Sequence, residues 1–310
     1  MNSPLHIPVL KNEVINHLNI IPEGIYLDCT LGAGGHAEEI LKKLNSSGLL
    51  IGLDADETTL KPTHTRFSVF KSSQFSLHHS NFIHFPEVLQ KLNIKKVNGI
   101  LLDLGLSSME LDEKDRGFSF QKIGPLDMRF NKNNSSTASD LLNEIKLNEL
   151  KKIIKDYGEE KYYSKIARSI KKYVENNKMK TTLDLKQAIL DVIPNKKSNK
   201  TLARVFQSIR IAVNDELNIL KKTLKNIIDF TSTNARIVII SYHSLEDRIV
   251  KKFFLKESKV CSCPKEIPMC VCKKNPAFKL ISKKPILPNE KEILSNKKSR
   301  SAKMRVVEKT

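Results

Sequence analysis

A glycine-rich loop flanked by aspartates is the feature of this sequence best suited to hold a small charged ligand. The loop reads LGAGGH over residues 31–36, Asp28 precedes it, and Asp54 lies further along the chain. Glycines let a backbone turn tightly and approach a ligand, and a carboxylate at the end of the next strand can accept hydrogen bonds from ribose hydroxyls. The pattern predicts an adenosine-containing cofactor. From this pattern, the predicted binding residues are Gly32, Gly34, Gly35 and Asp54.

Two classes of cofactor fit this loop. Gly32, Gly34 and Ala37 match the G-x-G-x-x-A spacing of dinucleotide-binding proteins, so an NAD-dependent dehydrogenase is an alternative. S-adenosylmethionine carries a positive ammonium and a positive sulfonium group, whereas a dinucleotide carries a negative pyrophosphate. The acids Asp28 and Asp103 around the loop therefore favour S-adenosylmethionine.

Asp103 and His243 are the residues that we predict to act in the reaction. Asp103 ends the apolar run GILLDL, and ligands of open α/β sheets lie beyond the carboxyl ends of the strands. Its carboxylate could accept hydrogen bonds from the exocyclic amine of a base, which would localise the lone pair of that nitrogen. Asp103 could instead cap the next turn. His243, in the string SYHS, could contact the target base or serve a structural role.

The elements that must position these residues alternate between strands and helices. Apolar runs predict strands over 25–29, 49–54, 75–79, 99–104 and 235–241, with helices over 37–44 and 245–254. This alternation predicts an α/β fold with a doubly wound, parallel, Rossmann-like sheet. Residues 107–201 break the alternation with short helices over 147–155, 163–175 and 183–192. We therefore expect a discontinuous domain of residues 1–106 and 202–310, a helical insertion at 107–201 that recognises the substrate, and one long helix over 202–230.

The basic charge of the chain is confined to two segments. The net charge is +19, yet residues 1–140 and 201–250 together hold 21 Lys and Arg against 21 Asp and Glu. Residues 141–200 hold 15 against 8, and residues 251–310 hold 17 against 5. Such segregation predicts a polyanionic partner, and we expect phosphate contacts from the tail cations, although solvated surface charge is the alternative. These tail cations are Lys297, Lys298 and Arg300.

Membrane and secretory functions are disfavoured. No run of about 18 apolar residues is present, and the first residues lack the basic and apolar regions of a signal peptide. We expect a cytoplasmic protein with no membrane partner. In that compartment disulfides are rare, so Cys261, Cys263, Cys270 and Cys272 could instead bind a structural zinc ion. Their C-x-C spacing departs from the usual C-x2-C of zinc ribbons.

Several strings resemble the RsmH (MraW) family of bacterial 16S rRNA cytosine-N4 methyltransferases, above all GFSF, GPLDMR and HSLEDR. The resemblance implies S-adenosylmethionine as cofactor and a cytidine of the decoding centre, near the P site of the small subunit, as target. It places His36 in the cofactor loop, Phe82 in the adenine region and Asp103 beside the cofactor. Glu110 stands where the family usually has Gln, which is a departure among the expected cofactor contacts. The similar stretches are 6–10, 31–36, 102–108, 116–120, 124–129, 157–160, 206–217, 241–248 and 299–305.

The expected substrate contacts lie in the insertion and in the long helix. Phe118 and Phe120 could stack on a base or anchor their loop in the core. Arg129 belongs to the string GPLDMR, and Arg210 and Asn214 share a polar stripe of the predicted helix. A ribosome-assembly factor that binds RNA without catalysis stays open as an alternative function. A DNA amino methyltransferase, and with it a DNA partner, is not expected, because no D-P-P-Y-like string follows the fourth strand.

Overall fold

The computed structural model of the chain describes residues 8–106, 113–134, 136–194, 198–261 and 275–310. They form two compact units, one of Met1–Gly105 with Ile219–Thr310 and one of Leu106–Asn218. The boundary predicted at residues 201 and 202 differs from this division. Leu202, Val205 and their neighbours pack into the apolar core of the second unit, so residues 202–218 belong with the insertion.

The first unit is built on one sheet, in which seven strands are described. The first five strands are parallel, whereas β7 pairs antiparallel with β5 and β6 antiparallel with β7. The sheet order is β3-β2-β1-β4-β5-β7-β6. The predicted Rossmann-like sheet is confirmed, with two antiparallel strands added at one edge. The strands are β1 (Ile25–Asp28), β2 (Leu49–Asp54), β3 (Phe75–His79), β4 (Val97–Asp103), β5 (Thr231–Ser241), β6 (Phe278–Leu280) and β7 (Lys303–Lys309).

Twelve α-helices are described among these residues, and none of them is long and apolar enough to cross a membrane. Those of the first unit and of the segment that leads back into it cover both faces of the sheet. The helices are α1 (Lys11–Leu18), α2 (Gly35–Leu41), α3 (Leu60–Arg66), α4 (Phe85–Lys91), α5 (Ala138–Glu144), α6 (Leu147–Asp156), α7 (Tyr163–Glu175), α8 (Thr182–Leu190), α9 (Ser198–Asn214), α10 (Glu216–Phe230), α11 (Ser244–Glu257) and α12 (Glu290–Ser295).

Consecutive strand residues enter separate cores on the two faces of the sheet. Tyr26 and Leu101 belong to one cluster, whereas Leu27, Ile100 and Leu102 belong to the other. This is the period-two pattern of a strand that is buried on both faces, and it explains why these strands read as continuous apolar runs. The sheet is therefore held rigidly, and the carboxyl ends of its strands are fixed relative to one another.

The second unit packs its helices around a separate apolar cluster that includes Leu150, Ile166 and Ile209. The prediction of one helix over 202–230 is wrong, because α9 and α10 are separated at Asp215, whose φ is 48°. The break is tied in place by Arg210, whose guanidinium donates to Glu216 Oε1 and Oε2 over 2.8 and 2.9 Å. Apolar periodicity continued through the break, so the sequence pattern could not reveal it.

Candidate functional site

Three aspartates end three adjacent strands of the first unit. Asp28 ends β1, Asp54 ends β2 and Asp103 ends β4. Because β1 pairs parallel with both β2 and β4, the three carboxyl ends lie on the same edge of the sheet. The strand order reverses between β1 and β4, which is the position where open α/β sheets bind their ligands.

Asp54 holds the start of the glycine loop. Its Oδ2 accepts a hydrogen bond from the Gly32 amide over 2.6 Å, and its Oδ1 accepts from the Asp56 amide over 2.8 Å. Each carboxylate oxygen can accept more than one hydrogen bond, so Asp54 can still receive hydroxyl donors. One side chain therefore joins the end of β2 to the loop that follows β1.

The glycines of the loop are also required by packing. Gly34 has a φ of 75°, and a Cβ there would lie 2.7 Å from Thr63 Cγ2. A Cβ on Gly35 would lie 2.7 Å from Pro8 Cγ. Thr63 Oγ1 donates to the Gly32 carbonyl, and Arg66 Nη1 donates to the carbonyl of residue 33. These contacts from α3 fix the loop conformation independently of any ligand.

Asp103 lies in a hydrogen-bonded network beside the loop. Its Oδ1 accepts from the Tyr242 hydroxyl over 2.8 Å, and its amide donates to Thr30 Oγ1 over 2.6 Å. His36 is buried, and its Nε2 lies 3.7 Å from Asp103 Oδ2. Gly105, with a φ of 112°, lets the chain turn directly under the Tyr242 ring. Thr30 thus holds the backbone of Asp103, and the Tyr242 hydroxyl orients its side chain.

Burial raises the pKa of all three carboxyl groups. Burial raises the pKa of Asp28 to about 7, and the nearby Asp54 carboxylate adds to the rise. Burial likewise raises the pKa of Asp103 to about 7, opposed by the Tyr242 hydrogen bond and assisted by the charges of Asp28 and Glu246. Burial raises the pKa of Asp54 to about 6, against the two amide hydrogen bonds that it accepts. These carboxylates are desolvated and repel one another. A cationic ligand bound among them would reduce that repulsion and favour their ionised forms.

His243 lies at the start of α11 and caps that helix. Its Nδ1 is 3.5 Å from the Glu246 amide, and its Nε2 is 3.1 Å from Glu246 Oε1. Glu246 is buried, and its Oε2 accepts from the amides of Tyr242 and His243. This arrangement gives His243 a structural role at the end of β5. Its predicted part in the reaction is not needed to explain its position.

Phe82 begins a short helical turn after β3. It is partly buried against the apolar cluster that contains Leu27 and Ile100. Glu110, the other residue predicted near the cofactor, lies outside the described residues. So do Cys263, Cys270 and Cys272. Cys261 is described and exposed, so the predicted zinc site is represented by one of its four ligands.

In the second unit, the polar residues predicted to bind substrate have intramolecular partners. Arg129 forms a fork with Asp127, with Nε to Oδ1 at 2.7 Å and Nη2 to Oδ2 at 2.8 Å, and also donates to the Lys132 carbonyl. Asn214 is buried, donates to the Met128 carbonyl and accepts from the Phe130 amide. The two Asn214 hydrogen bonds hold the GPLDMR loop against α9, and the Arg129–Asp127 fork lies within the loop itself.

Phe118 and Phe120, the two aromatic residues predicted to contact substrate, pack against the core of that unit. Phe118 is 6% exposed and packs at 5.7 Å between ring centroids against Phe130. Phe120 is half-buried and meets Phe206 edge to face. The sequence left open whether Phe118 and Phe120 stack on a base or anchor their loop in the core. The structure shows the contacts that anchor the loop. Arg116, which the sequence did not single out, is fully buried beneath this loop and donates to the carbonyls of residues 129 and 130.

The C-terminal cations lie on a short helical turn, Lys297–Ser301, between α12 and β7. Lys297, Lys298 and Arg300 are exposed, whereas Ser299 is buried and donates its hydroxyl to the Asn296 carbonyl. The turn is therefore anchored by the serine and presents its cations at the surface.

Sequence reasoning missed the residues that support Asp103 and the loop. Tyr242, Thr30 and Thr63 are remote from their partners along the chain, and only the tertiary fold brings them together. Glu246 had a local signal, since a Glu three residues after a cap residue completes a capping box. The string HSLE carries His at the position usually held by Ser or Thr, so the signal was weak.

The donor set fits S-adenosylmethionine better than a dinucleotide. Three carboxylates whose pKa values are raised by burial and repulsion would be stabilised by an ammonium or a sulfonium cation. A pyrophosphate placed among them would add repulsion. Asp54, with capacity for hydroxyl donors, suits the ribose.

Comparison with known proteins agrees with this chemistry. The model of the MraW methylase family matches residues 3–310. The chain is 46% identical over 306 residues to ribosomal RNA small subunit methyltransferase H of Halothermothrix orenii, which covers 98% of both chains. It is also 46% identical to the protein of the same name from Carboxydothermus hydrogenoformans, with 98% and 97% covered. An rRNA methylase structure from Streptococcus thermophilus covers 100% of this chain and 98% of its own, with a TM-score of 0.43 and 10% identity.

Proposed function

Because the chain belongs to the MraW methylase family, we propose that it methylates small-subunit ribosomal RNA with S-adenosylmethionine. The finer proposal is transfer to the exocyclic N4 of a cytidine near the P site of 16S rRNA. The observation that carries it is the group of three carboxylates, buried at Asp28 and half-buried at Asp54 and Asp103, at the ends of β1, β2 and β4, beside a glycine loop that Asp54 and α3 hold in place.

The cofactor-binding residues follow from this edge of the sheet. Asp54 would accept hydrogen bonds from the ribose hydroxyls, and Asp28 would face the positive methionine portion. The glycine loop, Gly32 to Gly35, would line the cofactor between them. When bound, S-adenosylmethionine supplies an electrophilic methyl group on a sulfonium. Phe82 follows the strand next to β2, and we assign its ring to the adenine.

Asp103 is the residue that we assign to the target amine. The lone pair of a cytosine N4 is delocalised into the ring, so the amine is a weak nucleophile. A carboxylate that accepts hydrogen bonds from its protons localises the lone pair. Asp103 must be ionised to do this, and the Tyr242 hydroxyl favours its ionised form. Positioning of the amine, rather than a strong base, would then govern the rate.

The RNA partner is supported by the distribution of charge. Residues 141–200 and 251–310 carry the basic excess, and the exposed cations of the turn at 297–301 belong to the second segment. Phosphates bound by such cations release counterions, which makes affinity for RNA depend strongly on salt. This partner, and a cytoplasmic location with the ribosome, belong to the proposal.

Methyl transfer separates this proposal from its alternatives. Purified protein is incubated with small ribosomal subunits and S-adenosylmethionine labelled in its methyl group, and the rRNA is digested and mapped by mass. We expect one cytidine to gain the labelled methyl group when the protein is present, and no cytidine to gain it when the protein is omitted. Label in no RNA would support the non-catalytic assembly factor, and NADH binding tighter than S-adenosylmethionine would support the dehydrogenase.

The chemical position of the methyl group is tested separately. The labelled RNA is hydrolysed to nucleosides. Chromatography against standards then distinguishes N4-methylcytidine from C5- or ribose-methylated cytidine. A C5-methyl product would contradict the role assigned to Asp103, because attack from carbon requires no acceptor for amine protons. The variant Asp103→Asn is compared with the parent protein in this assay, because its amide oxygen can still accept one hydrogen bond from the target amine.

A further inference from the structure

A row of cations on α7 forms one side of a groove in the second unit. Lys165, Arg168 and Lys172 stand at spacings of three and four residues, so they lie on one face of the helix. The opposite face carries Ile166 and Ile170, which are fully buried in the unit's core. The three cations are therefore held in register by a helix that cannot rotate without exposing its apolar face.

The groove has a volume of about 690 Å³ and its other side is formed by the end of α7 and the residues after α8. Lys178 adds a fourth cation to the lining, and Ser169 and Asn176 add hydrogen-bond donors. The acid in the lining is Asp191, both of whose oxygens accept hydrogen bonds, from the Tyr173 hydroxyl and from Gln187, each over 2.8 Å.

The four cations have no ion-pair partner among the residues that the structure describes. Lys171, the other cation of this part of the helix, instead donates to the carbonyls of residues 142 and 143 at the end of α5. Glu175 is the nearest acid further along α7 and acts on Lys171. The groove thus has an excess of positive charge that no described residue neutralises through an ion pair.

We propose that this groove binds the phosphate backbone of the ribosomal RNA substrate. The inference rests on the proposed function for the identity of the RNA. The row from Lys165 to Lys172 is about 10 Å long at 1.5 Å per residue, and a stacked strand places a phosphate every ~3.4 Å of its axis. The row therefore contacts up to about three consecutive phosphates.

RNA fits this lining better than an acidic protein surface does. Hydroxyl and amide donors beside the cations suit phosphate oxygens, and Tyr173 gives the groove an aromatic side chain of the kind on which unpaired bases stack. The Tyr173–Asp191 hydrogen bond joins α7 to the segment after α8, so the groove is formed before any ligand arrives.

The test replaces Lys165, Arg168 and Lys172 together by Gln. Glutamine is a good helix former, and it keeps a flexible polar side chain but removes the positive charge. The matched control replaces three exposed cations of α10, Lys221, Lys222 and Lys225, by Gln. Both variants lose three positive charges. Affinity for a fluorescein-labelled single-stranded RNA and for small ribosomal subunits is titrated between 50 and 300 mM KCl, with melting temperatures confirming that each variant is folded.

The groove variant is expected to flatten the plot of log affinity against log salt by about 2, since each lost contact with single-stranded RNA contributes ~0.7. The control variant keeps the parent's slope. On small subunits, KM of the groove variant rises at least tenfold while kcat and the affinity for S-adenosylmethionine stay unchanged. A groove variant with the parent's slope, or a control that flattens equally, overturns the proposal.

The remaining outcomes separate this inference from the proposed function. If the parent methylates no small-subunit RNA but the groove variant still flattens the salt slope, the proposed function fails and the RNA groove stands. If methylation is confirmed and neither KM nor slope changes, the groove assignment alone fails. Polyglutamate that displaces RNA as effectively as an equal charge of unlabelled RNA overturns the assignment to nucleic acid.

Discussion

The hydrogen bond from Tyr242 to Asp103 should set the pH at which this protein becomes active. The variant Tyr242→Phe removes one oxygen, 2.8 Å from Asp103 Oδ1, and leaves the ring that packs against Gly105. Burial already raises the pKa of Asp103 to about 7, and the tyrosine hydroxyl opposes that rise. Without the hydroxyl, the ionised form of Asp103 loses a donor and its pKa rises further.

The size of the effect follows from the strength of the bond. A hydrogen bond to a charged group is worth about 1.5–3 kcal/mol, and one pKa unit corresponds to 1.36 kcal/mol. The Asp103 side chain is 23% exposed, so water replaces part of the lost interaction. We expect a rise of about one unit. Near neutral pH the ionised fraction, and with it the methylation rate, falls about fivefold and recovers above pH 9.

The assay is single-turnover methylation of small subunits between pH 5.5 and 9.5. Tyr242→Phe should move the acid limb of the profile upward, and Asp103→Asn, which cannot ionise, should abolish that limb. The control is Tyr26→Phe, because the Tyr26 hydroxyl accepts from the Ile21 amide over 2.7 Å, near the opposite end of β1. The control should lower stability by about 1–3 kcal/mol without moving the profile. A Tyr242→Phe profile that drops equally at every pH would refute the reasoning.

Three further variants test the structure. Asp54→Ala should weaken S-adenosylmethionine binding by about 1–3 kcal/mol in calorimetry, because the ribose and the Gly32 amide both lose an acceptor; unchanged affinity contradicts the ribose assignment. The raised pKa of Asp28, about 7, means that the folded, ligand-free protein binds more protons than the unfolded chain, so stability falls as pH rises from about 4 to 7. Denaturant titrations of Asp28→Asn should show a smaller fall than the parent, and an equal fall assigns the pH dependence elsewhere. Arg129→Lys cannot form the fork with Asp127 and should destabilise the second unit by about 1–3 kcal/mol; a melting temperature within 1 °C of the parent's would show that the fork is dispensable.

Local patterns in the sequence predicted most of the framework. Strands β2 and β3 and helix α7 have the bounds that apolar periodicity indicated, because burial on both faces or on one face leaves a direct mark on residue order. The aspartates that end the strands could be identified in the same way. The family resemblance and the cofactor class also came from short contiguous strings, in which the chemistry of each residue is visible.

What only the tertiary structure decided are the relations between distant residues. The hydrogen bond of Tyr242 with Asp103 joins residues 139 positions apart, and no local pattern encodes it. The break at Asp215 also depends on tertiary contacts, since Asn214 beside it binds a loop 84 residues earlier. Arg129 was predicted as a substrate contact from the GPLDMR string and Arg210 from the polar stripe of its helix, and in the structure each binds a carboxylate of its own unit. Residue type determines which partners a side chain can bind, whereas the packing of the chain determines which of them is within reach.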